Sequence, residues 1–455
     1  MFNNIIKASV KLVRRYLPEP FVFAIILTFV AFVCAMPVCR QSPLEVLSNW
    51  GDGVWGLLAF SMQMALVLVC GSALADTPAV KKALCAISKI PKTPFSAIAM
   101  VTFISCVACW INWGFGLIVG VILAKQVARV VQSVDYRLLI ASAYSGFVVW
   151  HSGISASIPL AMATEGTALT EASMGVITSA IPISQTILSP FNIIIALTVT
   201  VALTVVNTVM HPKKEDAVSV NPALLEECDI CATGLLEETS VAITPASRLE
   251  NSRLLTLLIS LMGLSYLFVD LTIKGRSLDL NSVIMLFMFA GMLLHGTPIN
   301  YVKSLTKATS SSAGILLQFP FYAGIMGIMT GVSESGISLA GEISKACVAI
   351  SNEQTFPLLS FLSAGIVNVF VPSGGGQWAV QAPIMIPAGA QLGVSPAVTG
   401  MAIAWGDAWT NLIQPFWAIP ALAIAKLGAK DIMGFCLIDL FVVGVIVCLC
   451  FLFIV

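Results

Sequence analysis

Charge is scarce in this chain. Asp, Glu, Lys and Arg make up 10% of its 455 residues, where soluble domains carry about 25%. With 58% hydrophobic residues beside so little charge, the composition excludes a soluble globular domain and makes the lipid bilayer the surrounding partner. Formal net charge is zero, so the electrostatic footprint that nucleic acid requires is missing. Histidine occurs 3 times, and no zinc spacing, glycine-rich nucleotide fingerprint or nucleophile motif is visible. These absences argue against an enzyme and against a resident cofactor. The 12 cysteines do not form a disulfide framework, because most sit inside apolar runs as small packing residues. The one C-x-x-C, Cys228 and Cys231, has no second pair beside it.

What the chain does have is long apolar runs. An N-terminal segment with Lys7, Lys11, Arg14 and Arg15 leads into the run 21–38, which exceeds a signal-peptide core of about 7–15 residues. Hydropathy marks full spans near 20–38, 54–74, 137–164, 190–210, 253–271, 280–296, 312–331, 397–425 and 432–455. Two more apolar pairs, 94–128 and 354–391, are broken by glycine and read as hairpins that return to their own side. The expected fold is therefore an all-α polytopic membrane protein with nine full spans and two re-entrant hairpins. Lys and Arg test that count, since cytoplasmic segments should be basic. Nineteen fall on the inner side and four outside, namely Arg40, Lys274, Arg276 and Lys345. The N-terminus is then inside and the C-terminus outside.

Direct comparison exposes a repeat. A shift of 258 brings Gly56 onto Gly314 and Ser105 onto Ser363, and a shift of 261 brings Asn112 onto Ser373, Gly114 onto Gly375 and Pro159 onto Pro420. An odd number of crossings separates the halves, so the repeat is inverted. The expected layout is a cytoplasmic segment 1–19, a first repeat 20–210, a cytoplasmic linker 211–252, a connecting span 253–279 and a second repeat 280–455. Inverted repeats with interrupted helices are the architecture of secondary transporters, with substrate near the membrane midplane.

Four elements would meet there. One tip holds Asn112, Gly114 and Gly116; the other holds Ser373, Gly374, Gly375 and Gly376, with a helix starting near Gln377. Bare glycine N–H groups at a helix N-terminus can hold an anion, although such a stretch also reads as a plain turn between packed helices. The spans after the hairpins are interrupted around Ser155 and around Trp405 to Asn411, and Ser155, Asn368, Thr410 and Asn411 can donate hydrogen bonds without a fixed charge. No Lys or Arg lies in these elements. Asp407 is an intramembrane carboxylate, read as the coupling site for Na⁺ or H⁺; the plainer reading makes it a helix cap. His151 is read as a satisfied polar residue, although an ordinary pKa of about 6.5 would also permit a proton role, and Trp113, Trp150, Trp405, Trp409 and Trp417 are read as walls of an apolar pocket or as packing.

The segments WGDGVWGLLAFSMQMAL, INWGFGLIVG, LLQFPFYAGI, VPSGGGQWAVQAPIMIPA and QPFWAIPALAIA resemble the bacterial short-chain fatty acid transporter family, whose type member carries acetoacetate and butyrate. The family looks related to the ion transporter superfamily. The resemblance implies uptake of a short-chain monocarboxylate across the bacterial inner membrane by a multi-pass homodimer, with the residues 112–116 and 373–377 carrying the substrate. A carrier of dicarboxylates or other organic anions, and an anion channel, are the competing expectations.

Overall fold

In the computed structural model, residues 6, 8–12, 15, 18, 20–56, 58–213, 215–220, 244–276, 280–309, 312–334, 336–372 and 374–455 are described. Their regular elements are all helices, with no strand among them. The first half contains α1 (Pro20–Cys39), α2 (Pro43–Gly53), α3 (Leu58–Ala75), α4 (Pro78–Ser88), α5 (Pro94–Ile111), α6 (Trp113–Val130) and α7 (Tyr136–Ser145). A 3₁₀ turn (Gly146–Ser152), α8 (Ser157–Met162), α9 (Thr167–Ala172) and α10 (Pro190–Val209) complete it. After α11 (Pro245–Glu250) and α12 (Arg253–Phe268) come α13 (Leu280–His295), α14 (Pro298–Thr309), α15 (Ala313–Thr330) and α16 (Leu339–Ala349). The chain ends with α17 (Phe356–Phe370), α18 (Gly374–Gln391), α19 (Pro396–Thr410), α20 (Pro415–Ala425) and α21 (Ala429–Phe453).

Local chemistry sets many of these starts. Ser42, Thr77, Thr93, Ser189, Thr244 and Ser395 each precede a proline and accept a hydrogen bond from the backbone N–H three residues on. The hydroxyl satisfies an orphan donor, while proline at the first helical position gives up an N–H that would have no partner anyway.

Packing follows the logic of a bilayer rather than that of water. On α1, Ala24, Ala31 and Ala35 are fully buried, while Phe29 is 66% and Val33 58% exposed. Small residues turn inward so that backbones approach, and large apolar ones face lipid. The outer helices of the halves cross over: α2 packs against α15, where a β-carbon on Gly53 would fall 2.7 Å from the Gly327 Cα, and α3 packs against α13 and α14.

Seven helices among the described residues are long and apolar enough to cross a membrane, and several expected spans appear as shorter apolar or bent helices. Three expectations change. The arms α5 and α6 are 18 residues each, about 27 Å at 1.5 Å per residue, so they are longer than a shallow hairpin requires. The expected span 397–425 is two helices parted at 411–414, and residues 405–410 remain helical. Gln414 precedes Pro415, and the restriction on the residue before a proline places the break there. Finally, α18 begins at Gly374 rather than near Gln377.

Candidate functional site

Asn112 alone forms the first tip. It is extended (φ −153°, ψ 121°), closes α5, and caps α6 by accepting the Phe115 N–H at 3.0 Å. Gly114 is buried beside it, and Gly116 packs against Ala108 and Cys109 on the other arm of the hairpin. At the second tip α17 ends at Phe370, and Gly374, Gly375 and Gly376 make the first turn of α18. Ser373 lies outside the described residues, as do Cys228 and Cys231. Gly374 is buried, whereas a β-carbon on Gly375 would meet nothing within 4 Å.

The stretch 151–157 runs between these tips and touches both. On the first side, Ser155 Oγ accepts the Trp113 N–H at 3.0 Å, and Ile154 N–H donates to the Trp110 carbonyl at 2.8 Å. A β-carbon on Gly153 would fall 2.0 Å from that carbonyl, so glycine is required for the approach. On the second side, a β-carbon on Gly374 would fall 2.6 Å from His151 Nε2 and 3.1 Å from Ser157 Cβ. Asn192 fastens the stretch from behind: its Nδ2 donates to the Ser152 and Ile187 carbonyls, and its Oδ1 accepts from Trp405 Nε1.

His151 is fully buried and stacks on Trp150 with ring centroids 3.6 Å apart. Its Nδ1 lies 3.1 Å from the Ala404 carbonyl and 3.5 Å from Asp407 Oδ2, while Nε2 has no partner among the described residues. The expected satisfied histidine is thus satisfied on one nitrogen only. Asp407 is equally buried, and neither carboxylate oxygen has a hydrogen bond of good geometry, so the helix-cap reading is not what the structure shows. Its backbone carbonyl accepts from Asn368 Nδ2 at 2.8 Å, and that same nitrogen reaches Thr410 Oγ1 and Asn411 Oδ1 at 2.8 Å. Thr410 Oγ1 donates to the Gly365 carbonyl at 2.9 Å. The donors of Asn368 and Thr410 are therefore engaged in holding α17 to α19, while Asn368 Oδ1 and Asn411 Nδ2 have no hydrogen bond of good geometry among the described residues.

The tryptophans divide into two groups. Trp113, Trp150 and Trp417 gather with Phe147 at centroid distances of 5.2–6.3 Å and wall the first tip. Trp405 is tied to Asn192 and Trp409 to the Leu440 carbonyl, away from that wall. The sequence reading passed over Asp439. Asp439 on α21 is fully buried, and the Asn207 amide, turned so that its nitrogen faces the carboxylate, donates to both oxygens at 3.2 Å and accepts from Ser145 Oγ at 2.9 Å. A charged residue in an apolar span is by itself a signal. Two clefts, of about 520 and 640 Å³, lie off the tips, one beside Glu165 and Ser179 and one beside Glu353 and Val455.

Comparison with known proteins shows the family. The family model for short chain fatty acid transporters matches residues 1–454. The chain is 44% identical over 447 residues to a protein of Escherichia coli named putative short-chain fatty acid transporter, covering 98% of both chains. It is 42% identical over 439 residues to a protein of the same name from Haemophilus influenzae, covering 96% of both. Among solved structures, the YdaH transporter of Alcanivorax borkumensis aligns over 96% of this chain and 97% of its own, with a TM-score of 0.43 and 16% identity. A multi-pass, all-helical chain with no nucleophile or cofactor motif, matched end to end in this way, is a transporter rather than an enzyme and belongs to the short-chain fatty acid transporter family.

Proposed function

We propose that this chain is a secondary active carrier that takes up short-chain monocarboxylates such as butyrate or acetoacetate across the bacterial inner membrane, coupled to an H⁺ or Na⁺ gradient at a site that includes Asp407. The observation that carries this reading is the stretch 151–157, which touches Trp113 at one tip and Gly374 at the other. A carboxylate lodged there would meet helix N-terminal N–H groups and neutral donors, each terminus contributing about 0.3–1 kcal/mol and up to about 2 when partly buried.

Matching helix lengths support the inverted repeat that this reading calls for. α3 and α15 have 18 residues each, α4 and α16 have 11 each, and α6 and α18 have 18 each, in the same order within each half. Contacts fit the expected sides. At the inner face, Lys125 Nζ donates to the Ile424 carbonyl, Tyr136 Oη to the Ala425 carbonyl, and Ser304 Oγ to Asp76. At the outer face, Gln41 Nε2 donates to the Gly331 carbonyl, and Val455 lines a cleft with Glu353 and Gly393. The homodimer remains part of this proposal.

The test is uptake of labelled butyrate, acetoacetate and succinate by proteoliposomes under separate Na⁺ and pH gradients. Saturable counterflow of butyrate that excess succinate does not inhibit is expected. Strong competition by succinate would replace the monocarboxylate with a wider class of anions, and single-channel currents would replace the carrier with a pore.

A further inference from the structure

We infer that His151 carries the coupling proton and that the protein is an electroneutral one-to-one proton–monocarboxylate symporter, an inference that rests on the carrier reading above. The argument starts from the tautomer. The Ala404 carbonyl can only accept, so the ring nitrogen 3.1 Å away from it, Nδ1, must carry a hydrogen. A neutral imidazole has one hydrogen, which leaves Nε2 as a bare lone pair. That lone pair is buried, lacks a partner among the described residues, and abuts Gly374 at the N-terminus of the 18-residue helix α18.

A lone pair and a carboxylate repel, so an anion entering this tip needs a proton on Nε2. A proton taken from the water side forms an Nε2–H that donates to the substrate, and the imidazolium so produced faces Asp407 Oδ2 at 3.5 Å on its other edge. The charge of the site is then the same empty and loaded: the added proton cancels the added carboxylate. On the far side the acid leaves, and Nε2 returns its proton to water. A dicarboxylate would bring a second negative charge, uncompensated, next to Asp407. Among the described residues, the ring is faced by Asp407 and the Ala404 carbonyl from α19, Gly374 from α18, Ser157 from α8 and Trp150 stacked on it. α5 and α10 meet this turn through the Trp110 carbonyl and Asn192, both uncharged. Asp407 is thus the one titratable group on the ring.

The full chain in proteoliposomes decides the matter, with labelled butyrate as probe and valinomycin and K⁺ setting the potential. Undissociated butyric acid crosses lipid unaided and follows a pH gradient in protein-free liposomes too, so the reading is the initial rate of uptake above that background: a gradient of about two pH units, acid outside, with a driving force of roughly 100-fold at about tenfold per unit, should speed this protein-dependent uptake. A potential of about 100 mV at equal pH should drive no accumulation, where a carrier moving one net charge would accumulate roughly 50-fold. His151→Gln keeps an amide donor and cannot titrate. It should raise the half-saturation for butyrate roughly 10- to 100-fold, and its residual counterflow should lose the pH dependence of the wild type. Accumulation driven by potential alone or by Na⁺ alone, or a wild-type pH response in His151→Gln, overturns the inference and leaves the carrier standing. Absence of butyrate counterflow in the wild type overturns the carrier reading as well. The two wild-type gradients decide the question if the variant does not fold.

Discussion

The neighbouring glycines of the second tip should respond oppositely to the same substitution. In Gly374→Ala the new methyl would sit 2.6 Å from His151 Nε2, nearly an ångström inside ordinary contact, and 3.1 Å from Ser157 Cβ. The ring cannot retreat, because Trp150 stacks on it at 3.6 Å and the Ala404 carbonyl holds Nδ1. The start of α18 must therefore move outward, and overpacking of this kind costs about 1–3 kcal/mol, or roughly 5- to 150-fold if it falls entirely on the substrate-holding conformation. In Gly375→Ala the methyl enters open space, and replacing glycine within a helix reduces the freedom of the unfolded chain, stabilising by about 0.4–1 kcal/mol. The assays are butyrate counterflow in proteoliposomes and thermal unfolding in detergent, run on both variants, on His151→Ala, and on the double variant Gly374→Ala/His151→Ala. Trimming the ring should relieve the clash, so the double variant should be no less stable than His151→Ala alone. Losses that add independently, or a Gly374→Ala protein indistinguishable from the wild type, would refute the contact on which the site is built.

Other positions make separate demands. Gly153→Ala would drive a β-carbon to 2.0 Å from the Trp110 carbonyl, and we expect little monodisperse protein in size-exclusion chromatography; a normal profile would contradict the geometry. Asn192→Leu strands the Ser152 and Ile187 carbonyls and the Trp405 N–H. Each stranded group costs about 1–3 kcal/mol, so its melting temperature should fall more than that of Trp405→Phe, which strands only one acceptor. His211, just beyond α10, accepts the Asp135 N–H on Nε2 at 3.1 Å, and burial holds its pKa below the ordinary 6.5 although nearby Asp135 opposes the shift. The folded state therefore binds its proton less readily than the unfolded chain does, and the stabilisation is complete above about pH 6.5 and lost as pH falls below it. Hydrogen exchange at 215–220, corrected for intrinsic rates, should accelerate between about pH 7 and 5 in the wild type and not in His211→Gln; equal protection at both pH values would count against the switch.

The breaks between α5 and α6 and between α17 and α18 were legible because Asn112 and the run from Pro372 to Gly376 interrupt apolar arms. The boundaries were less legible where tertiary contact overrides propensity. Glycine is a poor helix former, so α18 seemed to begin after Gly376; the packing of His151 against Gly374 extends it upstream. Gly406 looked like a breaker next to Asp407, yet it serves close packing, since a β-carbon there would lie 2.3 Å from the Phe361 carbonyl. The pairing of His151 with Gly374 joins residues far apart in the chain, and no local pattern announces it. Asp439 was overlooked because one carboxylate barely lowers the hydropathy of the 25-residue helix around it.

Asn112 ends one helix and starts the next with no spacer between them. Every rotation of α6 is therefore delivered undiminished to α5, and the first hairpin behaves as one stiff lever.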